Sequence, residues 1–417
     1  MATVKPFFCI RPRADVADRV AALPYDVYNR SEAKKETLRE PLSFLKIDRA
    51  ETQLPDTVDS YDSSVYKKAR ELLRDRIQDG TFLEDSEECY YVYELIMDGR
   101  SQTGIVACAS IDDYLNNVIM KHENTREDKE IDRINHVDIC NAQTGPIFLA
   151  YRSRAVINEV VSEVKKEAPI YRFTAVDGIT HIVWRVSEKE RIHDIQEAFA
   201  GIDRIYIADG HHRAASAVKV GLKRRKENPD FTGKEEFNYF LSVLFPHDQL
   251  KILPYNRAVK DLNGLTKEEF LGKSGEHFIV SLVGKKAYSP KEKGTFGMYL
   301  DGDWYALAIK DALKTIRDPV ASLDVSLLQD YLLHPILGIG DPRVDERIDF
   351  IGGIRGNKEL ERRGNVDIAV AFSMYPTSIT ELFEVADAGM LMPPKSTWFE
   401  PKLRSGLFIH KLSGHVQ

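Results

Sequence analysis

The stretch at residues 205–213, with the sequence IYIADGHHR, constrains the fold of this chain more than any other. The apolar run at 205–208 predicts a buried strand, and the small and apolar residues from 214 onward predict a helix. Gly210 predicts a tight turn between the two. Because the first N–H groups of a helix have no partner inside it and carry partial positive charge, this turn predicts an anion site.

The polar residues at this turn suit a phosphate group. Arg213 can bind a phosphate through two N–H groups, and His211 or His212 can donate to a phosphoryl oxygen or move a proton. Asp209 can hold a Mg²⁺ ion or orient a histidine. In the simpler interpretation Asp209 only caps the helix and both histidines lie at the surface. Two consecutive histidines followed by arginine favour the phosphate site.

Length and charge limit the classes of protein to consider. A chain of 417 residues predicts two domains or one large α/β domain. A net charge of −7 argues against nucleic acid as a partner, because a phosphate backbone requires a basic surface. The four cysteines show no CxxC spacing, and the chain has neither a signal-peptide pattern nor a membrane-spanning apolar run. A cytoplasmic protein without a membrane partner is therefore expected.

Turn residues predict the hairpins that organise the chain. Asp-Gly pairs at 98–99, 177–178 and 301–302 each separate two strand-like runs. Apolar periodicity predicts helices at 64–79, 155–166 and 188–200, and residues 43–49 suggest a short strand. The predicted division is a phosphate-binding domain at 1–262 and a C-terminal α/β part at 263–417.

The polar block at 121–133 is a second candidate site. Within it, Glu123 beside His122 can serve as a general base, and Thr125 or Arg133 can bind phosphate. The alternative is a solvated charged loop, the usual fate of a run of charges. Three further acidic residues of the block are interpreted as solvated: Glu127, Asp128 and Glu130.

Two proline-rich segments supply the other candidates. Three prolines fix the loop at 392–402, which presents two lysines and two hydroxyl groups for a phosphate or carboxylate: Lys395, Ser396, Thr397 and Lys402. The loop lacks the glycines of a Walker A motif, and solvated lysines on a rigid loop are an equal alternative. In the Pro24-Tyr25-Asp26-Val27 segment, Asp26 can be a base or metal ligand, or can bond its own turn.

The run Ile207-Ala208-Asp209-Gly210-His211-His212-Arg213, followed by a helix of small residues, resembles the phosphate box of the ParB/sulfiredoxin-like superfamily. Among these families the free serine kinases carry the most similar box, and the turn and helix hold nucleotide phosphates. The resemblance implies a mixed α/β fold of the α+β class. It would consist of a ParB/sulfiredoxin-like core elaborated with β-hairpins and a C-terminal α/β part.

A second resemblance covers nearly the whole chain. A widespread bacterial family, known mainly as a domain of unknown function, carries the same motifs in the same order: Lys5-Pro6-Phe7, Pro24-Tyr25-Asp26-Val27, His122-Glu123, Asp132-Arg133, the Asp209 box and residues 392–397. Members often carry His-Arg where this chain has Asn256-Arg257, so Arg257 alone is kept as a substrate-binding candidate. Some members lie among genes for serine synthesis, which implies a phosphoserine-related reaction.

These observations predict an enzyme of phosphoryl transfer on a small metabolite, with serine or phosphoserine as the named substrate. Asp209, Gly210, His211, His212 and Arg213 would hold the phosphate of ATP or ADP, with Mg²⁺ on Asp209. The same basic donors and carboxylates would serve either a kinase or a phosphatase. The alternative is a nucleotide-binding regulatory switch without metabolic turnover. The expected partners are a nucleotide or phosphorylated metabolite, and a homo-oligomer is compatible with the sequence.

Overall fold

The computed structural model describes residues 1–413, and internal contacts divide the chain into two compact units. The first unit comprises Met1–Leu250 together with the C-terminal residues from Pro401, and the second is Lys251–Glu400. The boundary between the two units therefore lies after Leu250, whereas the sequence division was placed after residue 262. The tail rejoins the first unit because its strand pairs there.

The strands form sheets of nine, six and four strands and one two-stranded pair. In the first unit they are β1 Val4–Lys5, β2 Cys9–Pro12, β3 Phe82–Glu84, β4 Tyr90–Met97, β5 Arg100–Ser110, β6 Ile119–Met120, β7 Ala142–Gln143, β8 Ile147–Tyr151, β9 Tyr171–Thr174, β10 Thr180–Val186, β11 Ile205–Asp209 and β12 Tyr239–Pro246. In the second unit they are β13 Lys251–Leu253, β14 Tyr255–Val259, β15 Phe278–Gly284, β16 Thr295–Leu300, β17 Asp303–Ile309, β18 Ile348–Gly352, β19 Val370–Ser373 and β20 Trp398–Glu400. The last strand, β21 Ile409–Lys411, belongs to the first unit.

Thirteen helices are present in residues 1–413. Those of the first unit are α1 Ala17–Val20, α2 Arg30–Arg39, α3 Leu45–Asp48, α4 Ser63–Gln78, α5 Ile111–Leu115, α6 Glu127–Cys140, α7 Ala155–Val164, α8 Lys189–Ala200 and α9 His211–Glu227. Those of the second are α10 Lys267–Ser274, α11 Asp324–Leu328, α12 Gly356–Gly364 and α13 Ile379–Asp387. With these helices beside both parallel and antiparallel strands, the mixed α+β class is confirmed, while the ParB/sulfiredoxin-like character of the core stays a prediction.

A nine-stranded sheet forms the centre of the first unit. Its order is β6-β11-β8-β12-β5-β4-β10-β9, with β1 beside β5. The β12–β8 and β11–β6 pairs are parallel and the other pairs are antiparallel. Apolar side chains of these strands and of α7, α8 and α9 form its core. β6 pairs with the first residues of β11, and β8 pairs with it as far as Asp209, so the end of the strand that precedes the turn is held by β8.

A smaller sheet, β3-β2-β21-β7, carries the rest of the first unit. The apolar face of α4, with Val65, Ala69 and Leu73, packs in the core cluster beneath it. Asp62 caps α4 by accepting from the Ser64 amide, which explains why the helix begins at Ser63. A six-stranded sheet, β15-β17-β16-β19-β14-β18, forms the second unit together with the β13–β20 pair.

All three predicted Asp-Gly hairpins are confirmed as antiparallel pairs: β4 with β5, β9 with β10, and β16 with β17. The strand expected at 43–49 is wrong, because Leu45–Asp48 forms the short helix α3, whose apolar residues are buried in the cluster with α4. Within residues 1–413, no helix combines the length and apolar character needed to span a membrane.

Candidate functional site

The turn between β11 and α9 has the geometry of an anion site. Gly210 adopts a left-handed conformation with φ 95°, and no side chain caps the helix that begins at His211. A Cβ placed on Gly210 would lie 3.0 Å from the Nε and Nη2 atoms of Arg213, so the guanidinium group folds back over the glycine. The uncapped N–H groups and this guanidinium therefore lie at the same turn, where both can donate to an anion.

A carboxylate and two cations lie at this turn. The Lys402 ammonium donates to Asp209 Oδ2 at 3.1 Å, and Arg213 Nη2 is 4.0 Å from the same oxygen. Arg213 Nη1 also donates to the carbonyl of Pro146. Burial alone would raise the pKa of Asp209, but Lys402 and Arg213 hold it well below its usual range. The ionised group of three thus carries one net positive charge beside a helix N-terminus, which attracts an anion.

Two buried histidines contact each other next to this turn. The rings of His122 and His211 meet edge to face with centroids 4.4 Å apart, and Glu123 Oε2 lies 3.7 Å from His211 Nδ1. Among the described residues, His122 Nδ1 and His211 Nε2 are buried without a hydrogen-bond partner. Buried polar atoms nearly always have partners, so these two nitrogens mark a place where a ligand atom or water is expected.

Burial keeps both imidazoles neutral at pH 7. It lowers the pKa of His211 to about 4, against the opposing effect of the Asp209 carboxylate. It also lowers the pKa of His122 well below its usual range, and the neighbouring His211 adds to that effect. A neutral imidazole can donate from one nitrogen and accept at the other, so both rings are suited to hydrogen bonding with a phosphate or hydroxyl group.

His212 faces a different partner. Its Nε2 accepts from the backbone amide of Arg126 at 3.0 Å, and its side chain is only half-buried. The bond fixes the position of the chain just before α6. The structure therefore separates the two adjacent histidines, with His211 beside Glu123 and Asp209, and His212 holding the polar segment in place.

The polar block at 121–133 is a loop only at its start, because α6 begins at Glu127. Glu127 and Asp128 are exposed, as expected. Glu130 is not solvated as predicted: it is buried and accepts bonds from the Thr125 hydroxyl and the Lys219 ammonium. Burial alone would raise the pKa of Glu130, but these two donors lower it. Thr125 was predicted to bind phosphate, but its hydroxyl donates to Glu130.

Arg133 lines a pocket that also reaches Arg213. The Arg133 guanidinium pairs with Asp132 at 2.8 Å and lies 3.9 Å from the ring centroid of Tyr25. Burial raises the pKa of Tyr25 to about 12, so its hydroxyl stays protonated. The empty volume is about 480 Å³, including space open to solvent. The pocket is lined by Pro24, Tyr25, Asp48, Arg133, His136, Val137, Gln143, Thr144, Gly145, Ile147, Arg213, Ala217 and Ser405.

Most of the residues that line this pocket were not predicted from the sequence, among them Asp48 and Thr144. Asp48 is buried and accepts from the Thr144 hydroxyl at 2.8 Å, and the two come from segments far apart in the chain. Neither stands in a motif, so no local signal marks them. Asp26, which does stand in a motif, is exposed on the short turn Tyr25–Val27 beside the pocket residue Tyr25.

The predicted loop at 392–402 is divided between the two units. Lys402 belongs to the first unit, whereas Lys395, Ser396 and Thr397 belong to the second. Lys395 has φ 58° and its ammonium lies 5.7 Å from the ring centroid of Tyr255. The Ser396 hydroxyl is buried and donates to the Pro393 carbonyl at 2.6 Å, which fixes the loop.

Arg257 is buried in the second unit. It donates to the carbonyl of Tyr255 and its guanidinium lies 5.3 Å from the ring centroid of Phe350. Burial lowers its pKa to about 10, so it remains charged at pH 7. In this arrangement Arg257 supports the aromatic residues beside Lys395.

Within residues 1–413, no group of three or more histidine, cysteine, aspartate or glutamate side chains is arranged to hold a metal ion. Asp209 is the carboxylate at the turn, and its Oδ2 already accepts from Lys402. A Mg²⁺ ion on Asp209 stays a prediction. It would take its other ligands from water and phosphate oxygens, as Mg²⁺ in nucleotide sites usually does.

A family model described as a protein of unknown function, DUF1015, matches residues 4–326. The chain therefore belongs to this family, which confirms the resemblance drawn from its motifs. No curated protein matches the chain.

Several solved structures show distant likeness. A free serine kinase in complex with AMP is 16% identical, with 73% of this chain and 91% of that chain covered and a TM-score of 0.34. A mutant free serine kinase in complex with ADP is 15% identical, with 73% and 92% covered and a TM-score of 0.36. SbnI with a C-terminal truncation, from Staphylococcus aureus, is 11% identical, with 73% and 86% covered and a TM-score of 0.36.

Proposed function

We propose that this member of the DUF1015 family binds a nucleotide phosphate at the Asp209–Arg213 turn and transfers a phosphoryl group to or from a small metabolite. One observation carries the proposal. An uncapped helix N-terminus, the guanidinium of Arg213 and the unpartnered Nε2 of buried His211 all occur at the same turn. Helix N–H groups and an arginine are the donors that phosphate oxygens require.

The same turn supplies the charges for phosphoryl transfer. Catalysis of this reaction consists mainly of holding the reactants in line and neutralising charge on the phosphoryl oxygens. Arg213 and the N–H groups of α9 are placed for that neutralisation. The Lys402–Asp209 pair holds the β11 end in position. Mg²⁺ arriving with the nucleotide would meet the carboxylate of Asp209 and supply further positive charge.

Glu123 is the proposed general base. Its side chain is 43% exposed and lies 3.7 Å from His211 Nδ1, so an acceptor can reach it from solvent. In the kinase direction the acceptor hydroxyl oxygen bonds to the γ-phosphorus, its proton passes to Glu123, and the bond to the bridging oxygen breaks to release the nucleoside diphosphate. A carboxylate within reach of both the reacting hydroxyl and a neutral imidazole suits this role.

Serine is the proposed acceptor, and phosphoserine the substrate of a reaction in the phosphatase direction. This choice depends on the motif resemblance to free serine kinases and on the phosphoserine-related reaction that the family implies. The pocket lined by Tyr25, Arg133 and Arg213 adjoins the turn and offers polar groups to a small metabolite.

Phosphorus NMR tests the proposal directly. The protein is incubated with Mg²⁺ and either ATP plus serine or phosphoserine alone, and new phosphorus signals are followed. Arg213→Ala is expected to lower turnover by about 10²-fold or more, because it removes a charged donor to the transferring group. Glu123→Gln is expected to lower it about 10²- to 10⁴-fold through loss of the base.

Arg74→Ala is the matched control, since Arg74 is exposed on α4 and, within residues 1–413, its ion pair is with the adjacent Asp75. It should leave turnover unchanged. Nucleotide binding without turnover on any acceptor would replace the enzyme with the regulatory switch. If neither nucleotide nor phosphoserine binds, the proposal is wrong.

A further inference from the structure

The guanidinium group of Arg257, in the second unit, is buried without an acidic partner. The residue is 3% exposed, and within residues 1–413 its one hydrogen bond runs from Nη1 to the Tyr255 carbonyl. Arginine is rarely buried unless it is paired, because an uncompensated charge is costly away from water. Burial lowers the pKa of Arg257, and within the described chain no carboxylate opposes that effect. A guanidinium in this position therefore favours an anion as its partner.

The other buried arginines of residues 1–413 have their partners within the chain. These partners are three backbone carbonyls for Arg76, the carboxylate of Asp132 for Arg133 and the carboxylate of Asp177 for Arg404. Such acceptors compensate the cost of removing the charge from water. Arg257, with a single carbonyl, is the exception among them.

The free edge of the Arg257 guanidinium has the shape that binds an oxyanion. Because Nη1 donates to Tyr255, the N–H groups of Nε and Nη2 remain, and these two point in parallel from one edge. The same pair of nitrogens on Arg19 holds both carboxylate oxygens of Glu40, at 3.1 and 3.0 Å. Neither Nε nor Nη2 of Arg257 is among the fully enclosed polar atoms that lack a partner, so both reach space that a ligand can enter.

The sheet of the second unit fixes the position of this edge. Arg257 lies on β14, between β18 and β19, directly opposite Phe350 and Phe372. Its guanidinium carbon is 5.3 Å from the ring centroid of Phe350. An aromatic ring attracts a guanidinium through its face and leaves the N–H groups available for an anion.

A second cation, Lys395, lies near the same tyrosine. Its ammonium is 5.7 Å from the ring centroid of Tyr255, and no ion pair joins it to a residue in 1–413. Lys395 adopts the left-handed φ of 58°, a conformation that is costly for a residue with a Cβ and that recurs at functional loops. The Thr377 hydroxyl donates to the Ser396 carbonyl at 3.0 Å, and the Ser396 hydroxyl donates to the Pro393 carbonyl. These bonds hold the strained lysine in place.

We propose that Arg257 and Lys395 bind an oxyanion, the carboxylate or phosphate group of a small molecule, in the second unit. The Nε–Nη2 edge of Arg257 donates to two oxygens of the anion, and the Lys395 ammonium supplies a second positive charge. The half-buried rings of Tyr255 and Trp398, with centroids 5.0 Å apart, offer apolar surface to the rest of the molecule. The proposal does not depend on the chemistry at the Asp209 turn, because all of these residues belong to Lys251–Glu400.

NMR of the Nε–H groups in the full chain labelled with ¹⁵N-arginine measures anion binding at this site. The chain is titrated with inorganic phosphate and, separately, with acetate, while chloride keeps the ionic strength constant. The Arg257 signal, identified by its loss in Arg257→Lys, should shift saturably with at least one anion, and the tighter anion gives the class of ligand. The Arg76 signal is the control and should not shift, because carbonyls already accept from its guanidinium. An Arg257 signal that neither anion shifts saturably would overturn the proposal.

Lys395→Ala tests the second cation. Loss of its charge is expected to weaken anion binding at Arg257 about five- to tenfold. Lys285→Ala is the matched control, since Lys285 is an exposed lysine of the same unit that pairs with Asp303. It should leave the affinity within about twofold of the unmodified chain, as expected for a distant exposed charge. Equal affinities in Lys395→Ala and the unmodified chain would show that the lysine is not part of the site and would contradict the proposal.

Arg213→Ala separates this site from the proposed nucleotide site. The variant should keep the saturable shift of the Arg257 signal, because the anion is held within the second unit. Loss of that shift in Arg213→Ala would assign the anion to the Asp209 turn and refute a site at Arg257. Failure of ADP to bind the unmodified chain, with the Arg257 shift intact, would count against the proposed function and support this site.

Discussion

Adjacent identical residues at the Asp209 turn have different environments. His211 is buried against His122 and near Glu123, whereas His212 is half-buried and accepts from the Arg126 amide. Successive side chains of an α-helix point about 100° apart, so neighbours at a helix start face different elements. The sequence motif predicts that either histidine can bind phosphate or move a proton. It cannot assign their partners, because those partners come from residues 122–126.

Burial of neutral His211 makes stability depend on pH. Its pKa is about 4 in the folded protein and about 6.5 when unfolded, so the unfolded chain binds more protons between these values. The free energy of unfolding should therefore fall as pH drops from 6.5 toward 4. Loss attributable to this group is about 1–2 kcal/mol at pH 5.

Urea denaturation at pH 7 and pH 5 measures this effect in the unmodified chain and in His211→Asn. The variant cannot titrate at this position and should lose less stability on acidification than the unmodified chain. An equal loss in both would show that His211 is not held neutral by burial.

At the level of elements, the turn between β11 and α9 depends on a glycine. Gly210→Ala should destabilise the protein by about 1–2 kcal/mol, because residues with a Cβ adopt positive φ at a cost. The new methyl group would also meet the Arg213 guanidinium 3.0 Å away and displace it. Nucleotide affinity, measured by calorimetry, should therefore fall about tenfold or more.

Gly80→Ala provides a matched control for this change. Gly80 also has positive φ, at 77°, but a Cβ there would have no neighbour within 4 Å. The control should lose similar stability yet keep its nucleotide affinity. If both variants bind nucleotide as well as the unmodified chain, the phosphate does not lie under Arg213.

Elements with a strong local pattern were predictable from sequence. The Asp-Gly hairpins, the β11 strand and the helices α4, α7 and α8 follow from turn residues and apolar periodicity. The charged helix α6 was not predictable, because its acidic residue Glu130 is neutralised by Lys219 of α9. Its Asp132 likewise accepts from the buried Tyr66 hydroxyl of α4 at 3.0 Å. Such partners are distant in sequence and leave no trace in local composition.

At the scale of the whole chain, the first unit is completed by its C-terminal tail. β21 pairs with β2 and β7, and the residues before it bring Lys402 to Asp209, 193 positions earlier in the chain. The turn motif itself could be found from sequence, and so could Lys402 as a candidate. The contact between them could not, because tertiary pairing over such a separation has no periodic signature.

A nucleotide phosphate is proposed to bind at the N-terminus of α9. The most direct measurement is NMR of the chain selectively labelled with ¹⁵N-histidine, titrated with ADP and Mg²⁺. Phosphate bound at the turn should shift the backbone amides of His211 and His212 and the imidazole of His211, while His334 in the second unit stays unchanged. Lys402→Ala should weaken these shifts without moving them to other residues. Saturable ADP binding that leaves the His211 signals unshifted would show that the phosphate binds elsewhere.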